Sequence, residues 1–354
     1  MTDLEKIIDL RSDTVTKPTP EMWEALRNLD DSKIGDDVFR EDPTINKLEL
    51  NTAKLMNKEA ALFVTSGTQG NLISLLSHTK PGDEILIEKN SHIFLYEVGS
   101  AARLGGLTSK TFNSLTGFPT EDQLRTMIRS RSDIHQPWTT LLAVENTHNI
   151  HGGVVIKPQE LQQLSDLSKG YDLKFHMDGA RIFNAAVATD LPLKKFTDHV
   201  DSIMFCLSKG MACPVGSLIA GSQEFINKAR KFRKMLGGGM RQAGVIAVMG
   251  LIALKHDWRA QLKEDHLNAQ ILAKGLRDQR LKINVPDPES NILLVECPEE
   301  TPMAKIISDL QESGLLALPM GKKIRLVTHF GITKEDIEQT IDILNNTLLK
   351  NIDT

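Results

Sequence analysis

The stretch 202–217, SIMFCLSKGMACPVGS, decides the fold prediction for this chain. It begins as an almost continuous apolar run, which is typical of a buried strand, and then places Lys209 directly before a glycine. A lone lysine at a strand end usually reaches solvent along its apolar stem. Here the approach is hydrophobic and the stretch holds no acidic residue. A lysine held in a dry pocket loses its proton more readily and can attack a carbonyl to form a Schiff base.

Other short apolar runs alternate with longer helical patterns, which predicts strand–helix units and a mostly parallel sheet. The predicted strands are residues 60–67, 84–88, 140–147, 173–179, 202–208 and 216–222. Each changes to polar or glycine residues at its C-terminal end, where ligands bind in open parallel α/β sheets. After about residue 255, charged helical patterns precede short strands. We therefore expect a large domain over residues 1–250, with the N-terminal segment included, and a smaller α+β domain with an antiparallel sheet over 251–354.

The composition is that of an ordinary globular protein: 354 residues, 40% hydrophobic and 25% charged. The net charge of −4 gives no electrostatic support for binding nucleic acid or an anionic membrane. The start, MTDLEKIIDL, lacks the apolar core of a signal peptide, and the apolar run 243–254 is too short to span a bilayer. Cys206, Cys213 and Cys297 fit neither a zinc site nor a disulfide framework. We expect a cytoplasmic protein that binds no metal, nucleic acid or membrane.

Asp178, in HMDGARIFNA, ends another predicted strand. A buried carboxylate needs a partner, so an Asp178–Arg181 pair that closes a turn is one interpretation and a functional role is the other. A metal site at His176 and Asp178 is a third, because residues two apart on a strand share a face, but no third ligand is evident. Pyridoxal phosphate (PLP) is a carbonyl cofactor that bonds to a lysine, and its ring nitrogen takes a carboxylate partner. Asp178 could supply that carboxylate.

A phosphate site is indicated at residues 65–71, TSGTQGN, which end a strand and open a helical pattern. The N–H groups and partial positive charge of a helix N-terminus bind phosphate. Gly67 permits close backbone approach, and Ser66 or Thr68 can donate a hydroxyl. Taken alone, the motif is more typical of a plain N-cap and turn. Together with Asp178 and Lys209, it gives three parts of one PLP site.

The chain resembles the low-specificity L-threonine aldolases, which are PLP enzymes of the aspartate aminotransferase fold (fold type I). The matching segments follow the family's order from residue 8 to residue 329: IDLRSDTVTKPTPEM, GDDVFREDPT, EAALFVTSGTQGNL, ENTHN, HMDGARIFNA, LSKGMACPVGSL, RKMLGGGMRQAG and IRLVTH. The resemblance implies cleavage of L-threonine, L-allo-threonine and other β-hydroxy-α-amino acids to glycine and an aldehyde. It also implies a homotetramer with active sites shared between subunits.

The resemblance also assigns roles to residues. Lys209 would bond covalently to PLP, Asp178 would pair with the ring nitrogen, and His92 would stack over the ring. His92 or His148, directly or through water, would take the proton of the substrate's β-hydroxyl, and both remain candidates. The other implied cofactor contacts are Ser66, Gly67, Thr68, Arg181, Ser208 and Arg241. The implied substrate contacts are Ser12, Tyr96, Arg181 and Arg325, and an arginine suits a carboxylate because it donates in bidentate fashion.

Three alternatives stay open. Another PLP reaction at Cα, such as racemisation, β-elimination or transamination, would begin with the same lysine. An inactive binding protein with this fold is a second alternative, although it would not need to retain the whole residue set. A metal hydrolase built on His176 and Asp178 is the third. The chain also departs from the family at Phe39, where a tyrosine is common.

Overall fold

The structure is a computed structural model that describes residues 7–277 and 283–352. The strands are β1 (Ile8–Asp9), β2 (Ala60–Val64), β3 (Glu84–Glu88), β4 (Thr108–Phe112), β5 (Thr139–Glu145), β6 (Lys174–Asp178), β7 (Ser202–Cys206), β8 (Ser217–Gly221), β9 (Ile292–Glu296), β10 (Leu315–Leu316), β11 (Leu318–Met320) and β12 (Lys323–Val327). The α-helices are α1 (Pro20–Arg27), α2 (Pro43–Leu55), α3 (Gly67–His78), α4 (His92–Leu95), α5 (Ser100–Gly105), α6 (Glu121–Met127), α7 (Pro158–Gly170), α8 (Ile182–Ala188), α9 (Lys194–Thr197), α10 (Gln223–Met235), α11 (Gly244–Lys255), α12 (Trp258–Arg277), α13 (Met303–Glu312) and α14 (Lys334–Ile352). Short 3-10 helices span Asp13–Val15, Asp31–Lys33 and Asp37–Phe39.

A seven-stranded sheet with the order β2-β8-β7-β6-β5-β3-β4 forms the centre of the larger unit. The pairs from β7 to β4 are parallel, whereas β8 is antiparallel to both β7 and β2. This mostly parallel α/β sheet confirms the predicted fold class, and every predicted strand is present. β4 was missed because its sequence, TSKTF, lies at the sheet edge, where Phe112 is its one buried residue.

The stretch 202–217 explains why β8 runs opposite to β7. After β7 the chain turns back over the ten residues 207–216, and the Leu207 N–H donates to the Gly216 carbonyl at 3.0 Å. β7 is buried along its whole length, as expected for a central strand covered on both faces. Because β8 alone is reversed, the strands β2, β3, β5, β6 and β7 all end at the same edge of the sheet. The chemistry-bearing residues follow at that edge.

The chain divides into two compact units, which differ from the predicted domains. One unit is Lys17–His256, and the other joins the described N-terminal residues, up to Thr16, to the chain from Asp257 onward. The prediction placed the boundary at residue 250 and the N-terminal segment in the large domain. The segment instead belongs to the C-terminal unit because β1 pairs with β10 and the Val327 N–H donates to the Leu10 carbonyl at 2.8 Å.

The C-terminal unit contains the predicted antiparallel sheet, in the order β11-β12-β9. Helices α12, α13 and α14 accompany it, and the core includes Leu272, Val295, Leu326 and Leu344. In the other unit, the apolar run 243–254 forms most of α11, whose Ala247 and Met249 are buried. Across residues 7–277 and 283–352, no helix combines the length and apolarity that crossing a membrane requires.

Candidate active site

Lys209 lies in the turn between β7 and β8, half-buried, at the edge where the parallel strands end. Its carbonyl accepts from the Ala212 N–H at 2.9 Å, which closes the turn. Ser208 precedes it and is also half-buried, whereas Gly210 is buried. The positive charge of Lys209 acts on His92 and the negative charge of Asp178 acts on the same ring. The structure therefore brings these three predicted residues together.

Asp178 ends β6 and is almost completely buried. Its Oδ1 accepts from the Ala180 N–H at 3.0 Å, and its Oδ2 accepts from Asn71 Nδ2 at 2.8 Å. Asn71 Nδ2 also donates to Glu97 Oε1 at 2.8 Å, so that both amide hydrogens are used to bridge two buried carboxylates. These bonds fix the Asp178 carboxylate in a dry environment, where its charge acts strongly on nearby groups.

His176 lies below Asp178 on β6, and both of its ring nitrogens are hydrogen-bonded. Nε2 is 3.2 Å from Asn71 Oδ1, and Nδ1 is 2.8 Å from Ser202 Oγ. Because the Asn71 oxygen can only accept, Nε2 carries the proton. Burial lowers the pKa of His176 to about 4, so the ring is neutral. With both nitrogens used in this way, His176 supports Asn71 and is poorly placed for the metal site that was one alternative.

His92 begins α4, after β3, and pairs with a carboxylate that sequence reasoning missed. Its Nδ1 is 3.0 Å from Glu97 Oε1, and its backbone N–H donates to Glu145 Oε2 at 2.7 Å. The hydrogen bond that His92 donates to Glu97 raises the pKa of His92, an effect that burial opposes and that Asp178 reinforces. Burial in turn raises the pKa of Glu97. Tyr96 packs beside the ring, with centroids 5.5 Å apart, and is half exposed.

The predicted phosphate motif forms the start of α3. Ser66 is the N-cap and accepts from the Gln69 N–H at 3.2 Å. Gly67 and Thr68 form the first turn, whose N–H groups have no intrahelical partner. A Cβ on Gly67 would lie 3.0 Å from Cys206 Sγ and 3.2 Å from Met204 Cε, so the glycine lets α3 begin close against β7. The N-cap interpretation and the phosphate interpretation are thus compatible.

His148 follows β5 and lies buried against Glu88, the last residue of β3. The distance from His148 Nε2 to Glu88 Oε2 is 3.4 Å. Burial acts to lower the pKa of His148, but the charges of Glu145 and Glu88 outweigh it and the pKa is raised. Arg181, at the start of α8, is buried, and its Nη1 lies 3.5 Å from Asn149 Oδ1. Asn149 follows His148 in the ENTHN motif, so the motif connects the two residues.

Arg241 lies elsewhere in the same unit. It is exposed, and its Nη1 forms an ion pair with Asp36 Oδ2 at 2.8 Å. Gly238, three residues before it, approaches α3, because a Cβ on Gly238 would lie 2.4 Å from Gln69 Nε2. Gly237 has a positive φ of +79°, which glycine tolerates. The loop therefore packs on the first turn of α3, while the Arg241 side chain itself pairs with Asp36.

Ser12 and Arg325 belong to the C-terminal unit. The Ser12 hydroxyl accepts from the Thr14 N–H at 3.3 Å and caps a short 3-10 helix. Arg325, on β12, is buried and donates from Nη1 to the Arg11 carbonyl at 2.8 Å. Arg11 directly precedes Ser12, so the two predicted carboxylate-binding residues lie close together within this unit.

Sequence reasoning missed Asn71 and Glu97. Asn71 is a polar residue on the apolar face of α3, four positions after Gly67, and that mismatch was a usable signal. Glu97 follows His92 by five residues across a helix of a single turn, a spacing with no fixed meaning in a sequence. Its role is visible only once the fold brings it to Asn71.

Known proteins resemble this chain over most of its length. The profile of the beta-eliminating lyase family matches residues 9–298. The chain is 43% identical over 343 residues to probable low-specificity L-threonine aldolase 2 of Arabidopsis thaliana, covering 95% of this chain and 96% of that one. It is 40% identical over 334 residues to the low specificity L-threonine aldolase of Escherichia coli (strain K12), covering 94% and 97%.

The fold is shared with a solved structure of Leishmania major threonine aldolase. The TM-score is 0.82 at 20% sequence identity, and the match covers 96% of this chain and 99% of that one. This likeness shows the fold, and the sequence relatives above show the family. The chain belongs to the beta-eliminating lyase family and, within it, to the low-specificity L-threonine aldolases.

Proposed function

We propose that this protein is a PLP-dependent aldolase that cleaves L-threonine, L-allo-threonine and other β-hydroxy-α-amino acids to glycine and an aldehyde. The observation that carries the proposal is the meeting of Lys209, Asp178 and His92 where the parallel strands end. Membership of the low-specificity L-threonine aldolases favours Cα–Cβ cleavage over racemisation or β-elimination. The retained set of site residues argues against an inactive binding protein.

The residues fit PLP in three respects. Asp178 is a buried carboxylate with both oxygens fixed, which suits a protonated ring nitrogen. The start of α3 offers amide N–H groups and the Ser66 and Thr68 hydroxyls to a phosphate, and Gly67 keeps that turn against β7. Lys209 supplies the amine from the next strand end. When bound, PLP supplies an electron sink for the charge that develops at the substrate's Cα.

The chain's own residues then orient the reactants and hold protons. Asp178 keeps the ring nitrogen protonated, and Asn71 keeps Asp178 in place. Glu97 holds a proton on His92 Nδ1 and so leaves Nε2 as the nitrogen that can accept one. His92 or His148, directly or through water, takes the β-hydroxyl proton. On the family resemblance we assign the substrate carboxylate to Ser12, Arg181 and Arg325, and the β-substituent to Tyr96.

Product analysis tests the proposed reaction. Purified protein with added PLP is incubated with L-threonine and separately with L-allo-threonine, and glycine and acetaldehyde are quantified. From each substrate, we expect one molecule of glycine for every molecule of acetaldehyde. Ammonia with a keto acid in place of glycine would show a competing PLP reaction instead. So would the Cα epimer, which is D-allo-threonine from L-threonine and D-threonine from L-allo-threonine.

We also propose a cytoplasmic homotetramer whose sites are shared between subunits. A surface that could form a subunit interface supports this assembly. The segment 92–105 exposes the large apolar side chains of Phe94, Leu95, Tyr96, Val98 and Leu104. The exposed Arg241 would then reach the phosphate of a neighbouring subunit. Supporting a reducing compartment, Cys206, Cys213 and Cys297 are free thiols. Light scattering tests the assembly: wild type should have four times the chain mass, and Val98→Glu should lower it.

A further inference from the structure

Glu88, His148 and His151 form a cluster beside the proposed active site. Glu88 ends β3, and the two histidines follow β5 in the sequence HNIHGG. One nitrogen from each ring and one carboxylate oxygen lie within 4.8 Å of one another. Two imidazoles and a carboxylate are the ligands that catalytic zinc sites use when one position stays open.

Both distances in the cluster are longer than those of good hydrogen bonds, and the shorter one matches the spacing of zinc ligand atoms. His148 Nε2 is 3.4 Å from Glu88 Oε2, and His151 Nε2 is 3.8 Å from Glu88 Oε1. Hydrogen bonds of this type usually span about 2.7–3.2 Å. Zinc with bonds of about 2.0–2.1 Å holds neighbouring tetrahedral ligand atoms roughly 3.4 Å apart.

The buried nitrogens supply a second and independent observation. His148 has 0% of its surface exposed, yet within the described residues neither of its ring nitrogens has a hydrogen-bond partner, and the same holds for His151 Nε2. A buried polar group without a partner destabilises the fold, so such groups point to a missing ligand. A metal ion would satisfy both Nε2 atoms and the carboxylate at once.

The backbone around the cluster holds it in place. The His148 N–H donates to the Val154 carbonyl at 2.9 Å and the Gly153 N–H donates back to the His148 carbonyl at 2.8 Å, which closes the turn that carries His151. A Cβ on Gly117 would lie 2.6 Å from His148 Cδ2, so the glycine leaves room for the ring. Asn90 donates from its backbone N–H to Glu88 and so orients the carboxylate from behind.

We infer that Glu88, His148 and His151 bind a divalent transition metal ion of the zinc class, with a fourth position open to water. The site is separate from the residues proposed to hold PLP. A bound ion would occupy the lone pair of His148 Nε2, so metal binding and proton transfer at that atom exclude each other. The ion would thus select between His148 and His92 as the available base.

Zinc binding to the intact holoenzyme tests the inference. Tag-free protein is treated with a chelator, dialysed and titrated with zinc chloride by calorimetry, and bound zinc is counted by mass spectrometry after equilibrium dialysis. We expect one zinc per chain. Glu88→Gln and His151→Ala should each weaken binding by at least about tenfold, since each removes one ligand. His135→Ala is the matched control, because His135 is an exposed loop histidine, and it should bind like wild type.

His151 is partly exposed on its turn, so His151→Ala remains informative if Glu88→Gln fails to fold. Circular dichroism checks each variant before titration. Substoichiometric zinc in wild type would overturn the inference. So would a zinc affinity that His151→Ala leaves unchanged, because the ion would then bind elsewhere, for example at the thiols.

Discussion

At the scale of single residues, the site depends on buried polar groups that hold one another. Asn71 uses both amide hydrogens to bridge Asp178 and Glu97, and Glu97 also accepts a hydrogen bond from His92 Nδ1. The bonds are 2.8–3.0 Å long, and Asn71, Asp178 and Glu97 are buried, so water does not readily replace a partner lost among these three. The protonation state of His92 is therefore set by Glu97 more than by solvent.

Glu97→Gln tests this link. The substitution keeps the shape of the side chain but removes the charge, so the pKa of His92 should fall. Titration of the histidine ring signals by NMR, in wild type and in the variant, measures the shift. If the pKa of His92 in the variant is equal to or above that of wild type, Glu97 does not set its protonation.

At the scale of elements, the sequence predicted the strands well because their apolar runs reflect burial on both faces of the sheet. It failed at β4, whose polar residues lie at an exposed edge, and at the N-terminal segment, whose packing depends on a pairing with β10, some 300 residues away. It also failed at Glu88 and His151, because their approach to His148 joins the end of β3 to the turn after β5, which only the fold brings together.

The helix start at Ser66 gives a prediction with a matched control. Ser66 caps α3 and Ser222 caps α10 through the same kind of bond, at 3.2 Å in each. Ser66→Ala and Ser222→Ala should each lower the free energy of unfolding by about 1 kcal/mol. Ser66→Ala alone should also weaken PLP binding, by about fivefold, if its hydroxyl contributes about 1 kcal/mol to the phosphate site.

Thermal melts measure the loss of stability, and PLP titrations of protein from which PLP has been removed measure the loss of cofactor binding. Equal weakening of PLP binding in both variants would mean that the loss reflects general destabilisation. In that case the start of α3 would be an ordinary helix cap, the plainer of the two interpretations of TSGTQGN.

At the scale of the whole molecule, one of the buried carboxyl groups, Asp265, should make stability depend on pH. Burial raises the pKa of Asp265, on α12, from 3.8 to about 8, and the charges of Asp13 and Glu264 add to the effect. The pKa of Asp265 is higher in the folded state than in the unfolded state. The contribution of Asp265 to stability is therefore fully present below about pH 3.8 and is lost as pH rises through 8.

Asp265→Asn should therefore flatten the pH dependence of unfolding. Between pH 5 and pH 7 the free energy of unfolding of the variant should rise, relative to that of wild type, by up to about 1.4 kcal/mol per pH unit. Urea melts at several pH values measure the difference, and Asp342→Asn, at an exposed position of α14, is the control. A constant difference between Asp265→Asn and wild type across this range would contradict the prediction.

The covalent role of Lys209 is tested most directly by reducing the PLP-bound protein with borohydride and mapping the modified peptide by mass spectrometry. We predict a pyridoxyl group on Lys209, a visible absorbance band that borohydride abolishes, and a Lys209→Ala variant that shows no label and loses threonine cleavage. A label on another lysine, or a Lys209→Ala variant that keeps the band and full cleavage activity, would contradict the assignment.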